Sequence, residues 1–443
     1  MITIPRNNNP MSKKITILLA VIIAIVGSFF WLKNQPNNNT TTQSEANESQ
    51  PIVETLTLKG SNTVGESFAP LLAEGYLQSI GAILIKKISR ESPVEKYVEG
   101  LLPTENKLVR IDIRAHGSST GFKALNNHNT EIAMSSRAIK SKEHDGLSNQ
   151  FGQVNEFPIA FDALAMITHP DNPIDQLTTE QISQIFSGEI NNWQQLGGND
   201  HEISLFSRDN NSGTWDTFKS LILKPYDKKL SEKSARFESS IELVDKVTTT
   251  PGSLGFVGVA YVKNAKLLKV SRDQNSIATK PTGYTIGTQS YALSRKLYFY
   301  TTGTKHSKLA ESFIDFSTQN SGQKLTEKVG LISYYPTHYR PEVSDKQAPS
   351  RYRELISMGR RITVDFPVNI KVEDTAKEER DFERLKNFMV QNPLSKIVLV
   401  DFSSSARVSQ IKQQLQQREI EVLDTLEIDY LAKERQSIEV WVL

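Results

Sequence analysis

The stretch 208–218, RDNNSGTWDTF, sets a guanidinium four residues ahead of a Ser-Gly-Thr turn that opens onto a helix. Those residue types at that spacing suit the grip of an oxyanion. Ser212, Gly213 and Thr214 put backbone N–H groups and two hydroxyls where a helix begins, and unpaired donors with the positive dipole end favour negative charge there. Arg208 adds a planar fork that can meet two oxygens of a phosphate-like group together. A Ser-Gly-Thr turn also serves as an ordinary helix cap, so the stretch alone leaves both readings open.

The elements around it repeat the pattern. ETLTLKG (54–60) reads as a strand and runs into Ser61-Asn62-Thr63-Val64-Gly65-Glu66 and a helical stretch through Tyr76. VRIDIRAHG (109–117) alternates like a strand, turns at Ser118-Ser119-Thr120-Gly121 and begins a helix with FKALNN. Three strand-turn-helix junctions rich in Ser, Thr and Gly could surround one tetrahedral anion with neutral dipoles and a single arginine. EIAMSSR (131–137) reads as a short strand ending in polar groups, so Ser136 and Arg137 are candidates for a fourth contribution. Residues 117–121 also satisfy G-x-S-x-G, the setting of a hydrolase nucleophile at Ser119. That chemistry needs an acid and a histidine further on, and neither His201 nor His306 lies in a recognisable motif.

Composition narrows the classes. The 443 residues carry 52 basic and 50 acidic side chains, a net charge of +2, so there is no basic footprint of a nucleic-acid binder. An anion site must therefore be local. The absence of cysteine removes disulfides, thiolate metal sites and cysteine nucleophiles. The seven histidines are scattered without ligand spacing, so neither a metal nor a cofactor is expected.

In chain order, residues 1–14 carry Arg6, Lys13 and Lys14, and 15–32 form an uncharged 18-residue run long enough to cross a bilayer as a helix. The basic flank predicts a cytoplasmic N-terminus and an inner-membrane anchor, with everything after residue 32 outside. Residues 33–51, rich in Asn, Thr, Ser and Gln, read as a disordered tether. From 52 to 340 strands alternate with helices, which argues α/β architecture: FPIAFDALAMITHP (157–170) is a long apolar run, 178–198 is helical to a Gly-bearing stop, 251–262 is a glycine-punctuated strand, and 285–302 reads as buried strand. A proline-bearing linker at 341–350 precedes a small α+β domain over 351–443, with strands at 362–368, 396–402 and 437–443 and helices at 374–391 and 408–419.

Residues 54–340 resemble the periplasmic phosphate-binding proteins of high-affinity phosphate ABC transporters. The resemblance rests on GSNTVGESF, AHGSSTGFKAL, EIAMSSRAI, FSRDNNSGTWDTF, GSLGFVGVAYV and YALSRKLYFY, in that order. It implies two α/β lobes joined by hinge strands, here near 157–165 and 284–290, closing on a phosphate without catalysis. It makes Thr63 and the Val64 N–H donors from the first junction, Ser118 a donor from the second, and Arg208, Ser212, Gly213 and Thr214 the rest of the clamp. Ser136 stands where the family often has the carboxylate that accepts the proton of bound hydrogen phosphate, and many members share the Ser136-Arg137 pairing. Asn210 stands where an acidic residue commonly partners the arginine, a role open to Asp209. The implied partners are inorganic phosphate or a similar oxyanion and the permease subunits of an ABC transporter.

The segment after 350 resembles an OmpA-like domain through ITVDFPV, FMVQNP and KIVLVDF, which implies peptidoglycan as a further partner. It departs from that family at Ser403-Ser404, in place of Thr-Asp, and at Glu434-Arg435-Gln436, in place of Asn-Arg-Arg. A tethered envelope scaffold with lost or sulfate-like ligand binding is the competing reading of the whole chain.

Overall fold

A computed structural model describes residues 50–92, 94–210, 212–303, 306–340, 348–368, 375–403, 406–428 and 437–443. The expected membrane anchor at 15–32 and nearly all of the tether at 33–51 lie outside the described residues, as do 341–347 of the expected linker, Asn211, Ser404 and Glu434-Arg435-Gln436. Among the described residues no helix is long and apolar enough to cross a membrane.

Period-two alternation builds the first lobe. β1 (Ile52–Gly60) is central; β2 (Ile83–Ser89) and β3 (Glu95–Leu102) form an antiparallel pair, while β4 (Lys107–Arg114) and β5 (Ile132–Ser135) flank β1 in parallel. Leu56, Leu58, Ile111 and Ile113 are fully buried and share one core with Leu72 and Leu77 of the helix Ala69–Ser79.

The lobes are joined by β6 (Val154–Thr168), a strand of 15 residues. The second lobe adds β7 (Gln176–Thr178), β8 (Ser204–Arg208), β9 (Ala235–Phe237), β10 (Ser253–Gly258), β11 (Lys266–Leu267) and β12 (Lys269–Ser271). The chain then returns through β13 (Ser294–Thr302), giving the order β2-β3-β4-β1-β5-β13-β6-β10-β8-β9, with β11 on β6 and β12 on β7. Register locates the crossing. β6 faces β13 from Val154 to Ala163 and faces β10 from Leu164 to Thr168.

The first expected crossing, 157–165, thus lies inside β6, whereas the second, 284–290, needs correction. Those residues belong to a short helix, Gly283–Gly287, and the turn after it. Thr282 caps the helix, its hydroxyl accepting from the Thr285 N–H at 3.1 Å while its own N–H donates to Thr285 Oγ1 at 2.9 Å. The strand expected over 285–302 accordingly begins only at Ser294.

β14 (His338–Tyr339) leaves the lobes and pairs with β15 (Arg360–Pro367) in a separate sheet with β16 (Ile397–Asp401), β17 (Val422–Glu427) and β18 (Ser437–Val442), ordered β14-β15-β18-β16-β17. Alternation along β16 divides two cores. Ile397 and Leu399 pack with the helices Thr375–Gln391 and Arg407–Gln417, and Val398 and Val400 pack with Tyr352 and Leu355 of the helix Ser350–Met358. The first of these helices meets the crossing region: Arg384 donates to Tyr334 O at 2.8 Å and Gly287 O at 3.2 Å.

Candidate functional site

Three strand ends deliver hydroxyls to one place. β1 ends at Gly60, where φ is +136° and a Cβ would lie 2.1 Å from Met134 O, so only glycine lets the chain pass β5 at this point. Ser61 follows, then a helical run over 62–79 whose start carries Thr63. β4 leads to Ser118 at the start of the helix Ser118–Asn126, and β5 leads to Ser136. Ser118 Oγ accepts the Ser136 N–H at 3.1 Å and lies 3.4 Å from Ser136 Oγ.

The second lobe meets these hydroxyls with a glycine. A Cβ on Gly213 would lie 2.8 Å from Ser136 Oγ, 3.3 Å from Thr63 Oγ1 and 3.8 Å from Ser61 Oγ. Its φ is ordinary, so the need for glycine is one of close approach between lobes. Ser212 is the helix cap as well as a cleft residue. Its Oγ accepts from the N–H groups of Thr214 at 3.2 Å and Trp215 at 3.4 Å, leaving the hydroxyl hydrogen to donate elsewhere. Capping and anion-facing readings of this turn are therefore compatible.

A cleft of about 70 Å³ lies between these elements, and its lining includes Thr63, Glu66, Arg208, Ser212, Gly213, Thr214 and two crossing-strand residues, Asp162 and Arg295. That volume takes a few water-sized groups, enough for a small ligand. A larger hollow of about 400 Å³ at the C-terminal sheet is lined by Lys386, Lys396, Arg418, Glu419 and Glu421 and brings together no cluster of hydroxyl donors.

Arg208 is positioned from its own lobe: Nε donates to Phe237 O at 3.2 Å, Nη2 to Glu238 O at 2.7 Å, and Nη1 to Ser240 Oγ. Burial pushes its pKa down, opposed by the nearby charges of Asp209 and Glu66. An arginine stays protonated regardless, so a desolvated cation here favours a counter-anion. Asn210 does not partner it; its Oδ1 accepts from Arg236 at 2.6 Å.

Of the other expected residues, Val64 lies behind the wall, its N–H 3.4 Å from Ser61 Oγ. Ser118 and Ser136 are buried beside the cleft, 3% and 1% exposed, and reach it only through the contacts described above. Arg137 is not brought to the cleft. Its Nη1 and Nη2 donate to the two carboxylate oxygens of Glu143 at 2.8 and 2.7 Å, and Nη2 also donates to Ser119 Oγ at 3.1 Å. An acidic partner six residues on, in the first turn of the helix Ser141–Phe151, takes the guanidinium away. The contact also occupies Ser119, the serine of the G-x-S-x-G spacing.

Arg295 and Asp162 escaped the sequence reading. Arg295 donates through Nε and Nη2 to Asp162 Oδ2 at 2.8 and 2.6 Å, through Nη1 to Gly213 O at 3.1 Å and Thr217 Oγ1 at 2.6 Å, and through Nη2 to Thr63 Oγ1 at 3.4 Å. One side chain thus touches both lobes and the crossing strand. Among the described residues no cluster of His, Asp and Glu is placed to hold a metal.

A model of the PBP superfamily domain matches residues 87–321. The chain belongs to the PBP superfamily. Its relatives there include phosphate-binding protein PstS of Borreliella burgdorferi, 31% identical over 259 residues that span 56% of this chain and 89% of that protein. PstS of Staphylococcus aureus strain USA300 is 28% identical over 297 residues, 65% of this chain and 86% of that one. Among solved structures, an ABC-type phosphate transport receptor from Vibrio cholerae superposes with a TM-score of 0.50 at 26% identity, covering 62% of this chain and 99% of its own. The superfamily match ends before the C-terminal sheet begins.

Proposed function

We propose that this chain is an extracytoplasmic receptor for inorganic phosphate that serves an ABC transporter or reports the anion's presence, and that it performs no chemistry on its ligand. The observation that carries the reading is the convergence on Gly213 of hydroxyls from Ser136, Thr63 and Ser61, beside a desolvated Arg208, in a small cleft between the lobes. The relatives named for phosphate binding support the choice of ligand. Thr63, Arg208, Ser212, Gly213 and Thr214 hold the anion; Ser118, Ser136 and the Val64 backbone back the wall, and Arg137, paired with Glu143, stands outside it. The anion bridges donors on both lobes, so its differential affinity for the closed form drives closure about β6 and β13.

In this reading residues 15–32 anchor the receptor in the inner membrane, 33–51 tether it, 52–340 bind the anion, and 351–443 are a divergent OmpA-like unit. The strand-helix-strand-helix-strand-strand order of β15 to β18 supports that last assignment. Calorimetry of the full chain, stripped of endogenous anion, tests the proposal. Saturable heat with phosphate is expected; no heat and no thermal stabilisation would favour a scaffold without a ligand.

A further inference from the structure

The two strands that join the lobes have two faces, and the anion cleft uses one of them. Side chains alternate along a strand, so neighbours in sequence face opposite ways. Asp162 of β6 and Arg295 of β13 are register partners that line the cleft. The next pair in register, Phe161 and Lys296, faces the helix Thr375–Gln391 of the C-terminal unit. The Arg384 guanidinium carbon lies 4.9 Å from the Phe161 ring centre, and Lys296 feels the charges of Arg380, Asp381 and Arg384.

That helix and β15 hold on to both lobes. On the second-lobe side, Arg384 Nη1 donates to Gly287 O at 3.2 Å and Arg380 Nη2 donates to Gln289 Oε1 at 2.6 Å. The Arg361 guanidinium carbon lies 3.6 Å from the Tyr284 ring centre, and a Cβ on Gly287 would lie 2.8 Å from Thr363 Cβ. The helix Gly283–Gly287 belongs to the second lobe, because Ile286 is buried in that lobe's core. On the other side, Arg384 Nε donates to Tyr334 O at 2.8 Å. The Tyr334 N–H donates to Gln323 Oε1 at 2.7 Å, and Gln323 Nε2 donates at 2.7 Å to the carbonyl of Ile159, a first-lobe core residue. One buried guanidinium thus bonds two carbonyls anchored in different lobes.

We infer that the C-terminal unit is a brace on the hinge: it holds the lobes in their approached arrangement, raises the cleft's affinity for its anion, and registers closure in the packing of the helix Thr375–Gln391. The inference rests on the receptor reading above. Closure about β6 and β13 turns one lobe against the other, so the Gly287 and Tyr334 carbonyls change their separation. A planar guanidinium, also held by Asp381 Oδ1 at 2.7 Å, fits one separation. Opening leaves a buried cation short of an acceptor, which disfavours the open form. The bracing contacts are all made with the lobes meeting at Gly213, so they favour that arrangement by their differential free energy. The coupling runs both ways. An anion in the cleft tightens the C-terminal unit, and whatever engages that unit changes anion affinity by the same factor.

The test uses the full chain, freed of endogenous anion, with inorganic phosphate as the probe. Hydrogen exchange of the native chain is followed with and without saturating phosphate. Phosphate should slow exchange by roughly fivefold or more in the helix Thr375–Gln391, and by less in the helix Arg407–Gln417, whose Val408, Ile411 and Leu415 are buried in the C-terminal core. Calorimetry then compares variants. Arg384→Met removes both carbonyl contacts and leaves Asp381 its bond to Lys377 at 3.0 Å. It should weaken phosphate by roughly fivefold or more. Arg351→Met, which removes an exposed ion pair with Asp424 in the same unit, should keep affinity within about twofold. Phosphate binding that leaves exchange in Thr375–Gln391 unchanged, or slows both helices equally, overturns the brace. A folded Arg384→Met chain that binds phosphate at least as tightly as the native one overturns it too, as does an equal loss in Arg351→Met. Should Arg384→Met not fold, the native exchange comparison decides alone. A native chain that binds no phosphate overturns the receptor reading itself, an outcome distinct from binding that the C-terminal unit does not register.

Discussion

Arg295 and Asp162 are register partners on β13 and β6, and their ion pair closes at 2.6 Å where β6 passes from the first lobe's sheet to the second's. Both side chains are almost fully buried, 4% and 3% exposed. The guanidinium also bonds the start of the second lobe's cleft-lining helix and Thr63 of the first. Hinge and cleft are therefore one construction.

Removing one partner of such a pair strands the other charge. Arg295→Met should cost about 3–5 kcal/mol, read as a lowered midpoint in urea unfolding followed by circular dichroism. Replacing both, as Arg295→Met with Asp162→Leu, should recover most of that loss, since no buried charge is then left alone. A double variant no more stable than the single one would show that the cost comes from packing.

Gly213→Ala tests the approach of the lobes. The added methyl meets Ser136 Oγ at 2.8 Å, inside contact distance, and a rigid neighbour must give way. The three atoms nearest the methyl are all first-lobe hydroxyls, so the second lobe's fold should hold while closure suffers by about 1–3 kcal/mol. Phosphate affinity should fall by roughly tenfold or more, with a larger radius of gyration in the phosphate-loaded state by small-angle scattering. Unchanged affinity would mean that the lobes do not meet at Gly213 in the bound form.

The two sides of this site were not equally legible in the sequence. Ser61 to Val64, Ser118 and Ser212 to Thr214 stand at places where a period-two pattern gives way to a helical one, a local signal that needs no partner. Asp162 and Arg295 sit inside apolar runs, AFDALAM and YALSRKLYFY, and their meaning depends on a register between strands 133 positions apart. The β2–β3 hairpin was missed for a similar reason. IKKISRESPVEKY alternates, but its charged face hides the strand signal, and pairing with β4 supplies the stability that local preference does not. Tyr284 to Ser290 shows the opposite error: apolar and aromatic content suggested strand, and the Thr282–Thr285 cap decided for helix. Linker chemistry at 341–350 gave no hint that a helix starts at Ser350.

Two arginines separate the clamp from its surroundings. Arg208 lines the cleft, whereas Arg137 is committed to both oxygens of Glu143. Arg208→Ala should weaken phosphate by roughly 10- to 100-fold, the range for hydrogen bonds to charged groups. Arg137→Ala should change affinity by less than about threefold and lower stability slightly, because its bond network lies within one lobe. Calorimetry on both variants decides the matter, and equal losses would put Arg137 at the anion.

Lys296 gives the junction between β13 and the C-terminal unit a pH signature. Burial, aided by Arg380 and Arg384 and opposed by Glu156 and Asp381, brings its pKa down to about 8. An unfolded lysine titrates near 10.4, so between about pH 8 and that value the unfolded chain holds a proton that the folded chain has released. Stability therefore rises with pH in this window, and below it the folded state carries the full cost of a charged buried lysine. Over the whole interval the change is on the order of 3 kcal/mol. The rise must be read below about pH 9.5, because burial raises the pKa values of Tyr291, Tyr298 and Tyr300, and phenols so shifted withdraw stability as pH passes about 10. Lys296→Met should stabilise the chain by about 1–3 kcal/mol at pH 7 and flatten the difference between pH 7 and 9.5 in urea titrations. A native chain whose midpoint falls steadily over that range, with the variant running parallel to it, would show that Lys296 keeps its proton and that the Glu156 and Asp381 carboxylates outweigh its burial.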